Sequence, residues 1–149
     1  MALYDLFDLD TKFGQYPAQT GEASITAGDF LKPTGSTEAT TSNYNSSNLI
    51  SVSMCDANGD EAYVCGIAMQ DQATSGGNIS VGTKGIFLLQ ANEAITAGTQ
   101  VCQIAAAASM KVIPAEAGGR QLGIALTSCD AQDEYVLVLF QLGPTGAEA

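Results

Sequence analysis

The run Asp56-Ala57-Asn58-Gly59-Asp60 places side-chain oxygens at its first, third and fifth positions, as a calcium-binding EF-hand loop does. Such a loop needs Gly at the sixth position and Glu at the twelfth. Glu61 and Ile67 stand there instead. Asn-Gly also supplies the positive φ angles of a tight hairpin. We therefore predict a turn and no metal site, with a looser surface cation site left as an alternative.

Ser109-Met110-Lys111-Val112 is similar to the Met-Lys hairpin on which small β-barrel carriers hold biotin or a lipoyl group. The acidic residue usual before that Met-Lys is absent, and Ser109 takes the adjacent position. An ordinary lysine at a strand edge is the simpler interpretation. A carrier domain modified on Lys111 remains the enzymatic alternative.

The residues needed for other catalytic sites are missing. The chain contains no His, which removes the usual general base and any Ser-His-Asp or Cys-His arrangement. Neither GxGxxG nor GxSxG occurs. The carboxylate pairs Asp60/Glu61 and Asp133/Glu134 lie beside turn signals, so solvated loop charges explain them. We predict no catalytic residue, no cofactor and no enzymatic activity.

The charge of the chain excludes two classes of partner. Sixteen acids against five bases give a net charge of −11. The bases are scattered singly: Lys12, Lys32, Lys84, Lys111 and Arg120. Binding a phosphate backbone or an anionic membrane needs clustered Lys and Arg, so neither nucleic acid nor membrane is an expected partner. No apolar stretch approaches the roughly 20 residues of a membrane span.

The four cysteines, Cys55, Cys65, Cys102 and Cys129, form no CxxC pair, which disfavours a zinc site. The N-terminal sequence MALYDLFDLD carries acids where a secretion signal needs bases and an apolar run. We interpret the thiols as small, reduced core residues of a protein made in a cytoplasm.

The elements that would position a binding site begin with an N-terminal arm over residues 1–20. Its large side chains alternate with acids, and Tyr4, Phe7, Phe13 and Tyr16 are the candidate partner-binding residues. So many apolar groups in a tail must dock somewhere. They pack either on their own domain or on a neighbouring subunit or capsid, and the sequence leaves both open.

Residues 21–142 show short alternating segments broken by Gly, Pro, Asn and Asp about every ten residues, which predicts an all-β barrel or sandwich. One domain, or two very small ones sharing a core, fits the length. The segments 49–55 and 62–69 flank Asn58-Gly59 and predict a hairpin. A polar Ser/Thr/Asn-rich loop covers residues 36–48, and residues 143–149 form a loose tail.

Two short sequences occur twice. Ile25-Thr26-Ala27-Gly28 recurs as Ile95-Thr96-Ala97-Gly98, and Cys65-Gly66-Ile67-Ala68-Met69 recurs as Leu122-Gly123-Ile124-Ala125-Leu126. The offsets are 70 and 57 residues, so any duplication has drifted or is pseudo-symmetric. In both echoes Gly stands where a backbone turns or passes close to a neighbour.

The order of these segments resembles a family of small phage head-decoration (cement) proteins over residues 21–142. The resemblance is carried by Ala27-Gly28-Asp29, Val64 to Ala68, Ile79-Ser80-Val81, Gly85 to Leu89, Ala97 to Val101, Leu122 to Ala125 and Val136 to Leu139. The arm at 1–20 and the loop at 36–48 depart from the family pattern.

The resemblance implies a β-rich homo-oligomer, with a trimer favoured, on the outer surface of an icosahedral virion. Its partner would be the major capsid protein, whose subunits it would clamp after synthesis in the host cytoplasm. The alternative is a fibre or spike module that binds a host receptor or glycan through residues 36–48.

Overall fold

The computed structural model describes residues 14–34, 50–105, 110–115 and 119–143, and these are almost entirely strands. The all-β prediction is confirmed. The chain divides into two compact units. Unit 1 comprises residues 1–54 and 65–83, and unit 2 comprises residues 55–64 and 84–149. Within the described part of the chain, no helix is long and apolar enough to cross a membrane.

Unit 1 is a closed barrel of five short strands in the order β1-β3-β2-β4-β5. The strands are β1 (Gln15–Thr20), β2 (Phe30–Pro33), β3 (Ser51–Met54), β4 (Gly66–Ala68) and β5 (Asn78–Gly82). Every neighbouring pair is antiparallel except β1 with β3, which is parallel. Side chains that alternate inward fill the barrel: Ala18, Ile25, Leu31, Val52, Ala68, Ile79 and Val81.

Unit 2 contains a 3-10 turn at Asp60–Ala62 and a five-stranded sheet in the order β6-β10-β9-β7-β8. Its strands are β6 (Lys84–Gln90), β7 (Gln100–Gln103), β8 (Val112–Pro114), β9 (Gln121–Ala125) and β10 (Tyr135–Gln141). Strand β10 lies between β6 and β9 and buries Val136, Val138 and Phe140. These alternating positions define the inner face of unit 2.

The two Ile-Thr-Ala-Gly segments form the same turn, one in each unit. The Gly28 N–H donates to the Ala68 carbonyl at 2.8 Å, and the Gly98 N–H donates to the Ala125 carbonyl at 2.8 Å. The φ angles of the two glycines are +98° and +91°, which glycine adopts without strain. The repeated sequence is therefore a repeated structure.

Strand pairing repeats as well. Leu31 lies opposite Gly66 in unit 1, and Val101 lies opposite Gly123 in unit 2. In unit 1, β1 pairs with β3 in parallel. In unit 2, Ala91, directly after β6, forms a parallel bridge with Val112 of β8, which is the equivalent contact. Both units thus use one five-stranded pattern, and the unequal offsets of the sequence echo come from loops of different length.

The predicted hairpin around Asn58-Gly59 is wrong. Gly59 does adopt a positive φ of 96°, but the turn leads into the 3-10 turn and residues 55–64 belong to unit 2. Strands β3 and β4 both pair with β2, on its two edges, instead of with each other. Asn-Gly predicts the backbone angles of a turn, but it does not determine whether the two flanking strands pair with each other.

Residues 15–20 of the predicted arm form β1, which pairs with β5 over five residues and buries Ala18 and Thr20. The sequence shows no apolar alternation here, because the inward-facing positions of β1 are the small Ala18 and the polar Thr20. Residues 1–13, the loop at 36–48 and the end of the predicted tail at 144–149 lie outside the described residues. Strand β10 ends at Gln141, close to the predicted boundary.

Candidate partner-binding surfaces

The structure brings together one carboxylate pair that the sequence does not reveal. Asp29 accepts a hydrogen bond from the Thr26 N–H at 2.8 Å, and Asp71 accepts one from the Ala27 N–H at 2.8 Å. Burial, together with the negative charge of Asp71, raises the pKa of Asp29, although the Thr26 hydrogen bond opposes this. Because both carboxylates hold the turn, their role is structural.

We expect Asp29→Asn to stabilise the protein slightly at pH 7. A raised folded-state pKa means that folding is favoured while Asp29 is protonated, and this contribution is lost as the pH rises from 3.8 through the folded-state pKa. Asparagine cannot ionise but still accepts the Thr26 N–H. Since the side chain is half-buried and screened, the gain should stay below about 1 kcal/mol.

Thermal unfolding of the wild type and Asp29→Asn at pH 3 and pH 7 measures this effect. The difference in unfolding temperature should appear at pH 7 and shrink at pH 3. A variant that is less stable than the wild type at pH 7 contradicts the assignment.

The two motifs tested for chemistry take structural positions. In the turn at Asp56–Asp60, the Ala57 N–H donates to the Asp60 carboxylate and the Gly59 N–H donates to the Glu61 carboxylate. These two carboxylates therefore accept hydrogen bonds from the backbone of their own turn. Lys111 forms an ion pair with Asp133, which favours the ordinary-lysine interpretation. Among residues 14–34, 50–105, 110–115 and 119–143, no cluster of three His, Cys, Asp or Glu side chains could hold a metal ion.

Of the four predicted anchor residues, the structure places one. Tyr16 lies in β1, half-buried, where it packs against the unit 1 core and its hydroxyl donates to the Cys65 thiol at 3.3 Å. Tyr4, Phe7 and Phe13 lie outside the described residues, so the arrangement of these anchors stays a prediction.

The outer surface of unit 1 contains a recess beside Tyr16. A shallow pocket of about 360 Å³ opens there, lined by Gln15, Tyr16, Pro17, Gln70, Asn78, Ile79 and Ser80. Most of its exposed lining is apolar, and none of these lining residues carries a charge. The pocket is a candidate contact surface of unit 1.

Unit 2 exposes an apolar sheet face on the outer side of β6, β9 and β10. It consists of Ile86, Leu88, Ile124, Leu126, Tyr135, Leu137 and Leu139, and we call it the unit 2 apolar face. The residues are contiguous because Leu137 lies opposite Leu88, and Leu139 lies between Ile86 and Ile124. Exposed apolar patches of this kind mark interaction sites.

The fold does not require this apolar face, because unit 1 builds the equivalent face from other residues. Pro17 lies opposite Ser80 on the β1–β5 pair, at the places that Leu88 and Leu137 take on the β6–β10 pair. Gln15 and Asn78 take the places of Ile86 and Tyr135, and Gly82 takes the place of Leu139. Two counterparts stay apolar, namely Met69 and the buried Ile67. The two units therefore differ in what they present outward.

Val136 to Leu139 stood out in the sequence only as part of the family resemblance, and the exposed face of this strand was not predicted. The signal was present, since Tyr135 to Phe140 contains no polar residue other than tyrosine. A strand with one solvated face normally alternates apolar and polar residues. An unbroken apolar run in an antiparallel sheet therefore indicates that both faces are meant to be covered.

A family model described as phage cement protein matches residues 32–140, which is most of the chain and includes parts of both units. No curated protein matches the sequence.

Among solved structures, the fold is similar to that of the head fiber gp8.5 N base of bacteriophage phi29. The TM-score is 0.54, the sequence identity is 12%, and the alignment covers 85% of this chain and 92% of that one. At this identity the likeness concerns the fold.

Proposed function

Because the chain belongs to the phage cement protein family, we propose that it binds the outside of an icosahedral phage capsid and stabilises contacts between major capsid subunits. The family match over residues 32–140 carries this proposal. Membership supports a structural, non-enzymatic protein of the virion, and the two small β units offer outer surfaces for binding.

The proposed mechanism is binding alone. A protein that binds the assembled shell, and not the separated subunits, stabilises the shell by mass action. At a free concentration of 100 times the dissociation constant this amounts to about 2.7 kcal/mol per site. A homo-oligomer, with a trimer favoured, would combine several weak contacts into one strong attachment.

The proposed capsid anchors are Tyr4, Phe7 and Phe13. Aromatic side chains bury a large area at low entropic cost and dominate many interfaces. Tyr16 contributes by fixing the base of this segment, since its ring packs on the unit 1 core and β1 pairs with β5. An attachment that starts from a rigid strand loses less entropy when the residues before it bind.

The acidity of the chain suits an outward position on the virion. With a net charge of −11, exposed surfaces repel nucleic acid and other anionic macromolecules. Synthesis in the host cytoplasm followed by addition to a completed shell needs no contact with the genome.

We expect Tyr4→Ser/Phe7→Ser/Phe13→Ser to lower capsid affinity at least about 100-fold, because buried aromatic anchors each contribute a large share of an interface. The measurement mixes the protein with undecorated shells and records co-sedimentation and the temperature of shell disruption. The wild type should sediment with the shells and raise that temperature.

The matched control is Asp5→Ser/Asp8→Ser/Asp10→Ser, which changes the interleaved acids and keeps the aromatics. It should bind like the wild type. If the wild type neither sediments with shells nor raises their disruption temperature, the capsid proposal fails. If the aromatic variant binds as the wild type does, these residues are not the anchors.

The second candidate is a virion fibre or spike module that binds a host receptor or glycan through residues 36–48. The similarity of fold to a phage head fiber base favours keeping it. Deleting residues 36–48 should then abolish attachment to host cells and leave shell stability intact. Loss of shell binding instead would assign the loop to the capsid contact.

A further inference from the structure

We propose that the unit 2 apolar face is the surface through which this chain associates with a second copy of itself. The inference deepens the proposed function, because it gives a location to the self-contact of the proposed homo-oligomer. It rests on the composition, area and charge of a face whose residues all lie in unit 2.

The exposed area fits one half of a protein interface. Ile86 and Leu88 are each 62% exposed, and Tyr135 is 58% exposed. Seven contiguous side chains, each more than a third exposed, form a patch of several hundred Å², comparable with the largest patches on monomers and approaching the roughly 800 Å² per partner of a standard interface. A second copy would cover an area of the right size.

The chemistry of the face indicates which partner covers it. Strands β6, β9 and β10 contain no Asp or Glu, although the chain has sixteen acids. Two copies that each carry a charge of −11 repel each other, so they approach most easily through surfaces without acids. The unit 2 apolar face meets this condition.

The surroundings of the face match the rim of an interface. Gln90 and Gln141 stand at opposite ends of the β6–β10 pair, where they lie opposite Tyr135 and Lys84. Gln121 and Gln141 also line a shallow recess of about 300 Å³ next to Ile124 and Leu139. An apolar centre surrounded by polar groups, here Gln90, Gln121, Gln141 and the cationic Lys84, is the usual anatomy of a protein interface.

Unit 1 provides the internal comparison. Its equivalent face has Pro17 and Ser80 where unit 2 has Leu88 and Leu137, yet unit 1 forms a complete barrel. The apolar side chains are therefore not needed to build the sheet. They serve an association that unit 2 makes and unit 1 does not.

The test is the mass of the purified wild type and of Ile86→Thr/Leu88→Thr in solution without capsids, by light scattering or sedimentation. The wild type should have a multiple of 15.3 kDa. The variant should dissociate to 15.3 kDa, with a dissociation constant raised about 100-fold or more. Threonine suits a strand, and both side chains point outward, so circular dichroism should be unchanged.

The control is Met69→Thr in unit 1. Met69 is 43% exposed and its N–H donates to Ser80, as the N–H of the 44% exposed Leu126 donates to Leu137. This variant should keep the wild-type mass. A monomeric wild type at about 100 μM, or a folded Ile86→Thr/Leu88→Thr variant with wild-type mass, overturns the proposal. Since no shell is present, these results do not depend on whether the protein binds capsids.

Discussion

Replacing Gly123 by alanine is expected to cost about 4 kcal/mol or more and to unfold unit 2. Gly123 lies in β9 with a φ of +153°, and an added Cβ would overlap the Leu139 carbonyl oxygen on the neighbouring β10. Both the backbone angle and the backbone contact oppose any side chain, and a strand pair cannot separate locally without losing its hydrogen bonds. Urea unfolding followed by circular dichroism measures the loss.

Gly98→Ala is the matched control. Gly98 also has a positive φ of +91°, but nothing lies within 4 Å of its added Cβ. It should therefore lose only the conformational preference of glycine, about 1 kcal/mol. Equal losses for the two variants would show that the backbone angle, and not the close approach of β10, makes Gly123 necessary.

Phe140→Ala is expected to destabilise the protein by about 3–5 kcal/mol, as large-to-small changes in cores do. Phe140 is fully buried at the end of β10. Its ring meets that of Phe87 edge to face, with centroids 5.6 Å apart and an interplanar angle of 80°. The substitution removes this pair and leaves a cavity under the strand that carries Leu137 and Leu139.

Phe87→Ala provides the comparison, because Phe87 is half-buried and takes part in the same contact. It should lose less than Phe140→Ala, and the double variant should lose less than the sum of the two. The difference should be about 0.5–1.5 kcal/mol, the usual size of an aromatic pair interaction. Purely additive losses in chemical denaturation would contradict a direct contribution from the ring pair.

Much of the fold follows from local patterns in the sequence. The segments Ile79 to Val81, Gly85 to Leu89 and Val136 to Leu139, named in the sequence for their apolar pattern, lie within β5, β6 and β10. Such patterns depend on side chains that alternate across a strand, which each segment carries in itself.

The pairing of the strands did not follow from the sequence. Asn58-Gly59 gave a correct turn and an incorrect hairpin, because β2 lies between the flanking strands. β1 was assigned to the arm, since Ala18 and Thr20 fill the barrel without forming an apolar pattern. Partner choice is decided by packing among distant segments, which a single local signal does not contain.

The candidate surfaces were predicted in part. The aromatic residues before Gly14 were identified by type, whereas the unit 2 apolar face emerged only when β6, β9 and β10 were placed side by side. Its residues are spread over more than fifty positions of the sequence. Units 1 and 2 repeat one strand pattern, so their outer faces can be compared position by position. This comparison distinguishes the residues that the sheet needs from those that are available for binding.

The closure of the unit 1 barrel also has a consequence for aggregation, because a closed barrel has no open strand edge. A sheet with open sides can recruit further chains strand by strand, which leads to fibrils and amyloid. In unit 1 every strand has neighbours on both sides, and in unit 2 a bridge at Ala91 ties the first strand to the last. Association through side-chain faces stops when those faces are covered, so at high concentration we expect discrete assemblies and no strand-by-strand aggregation.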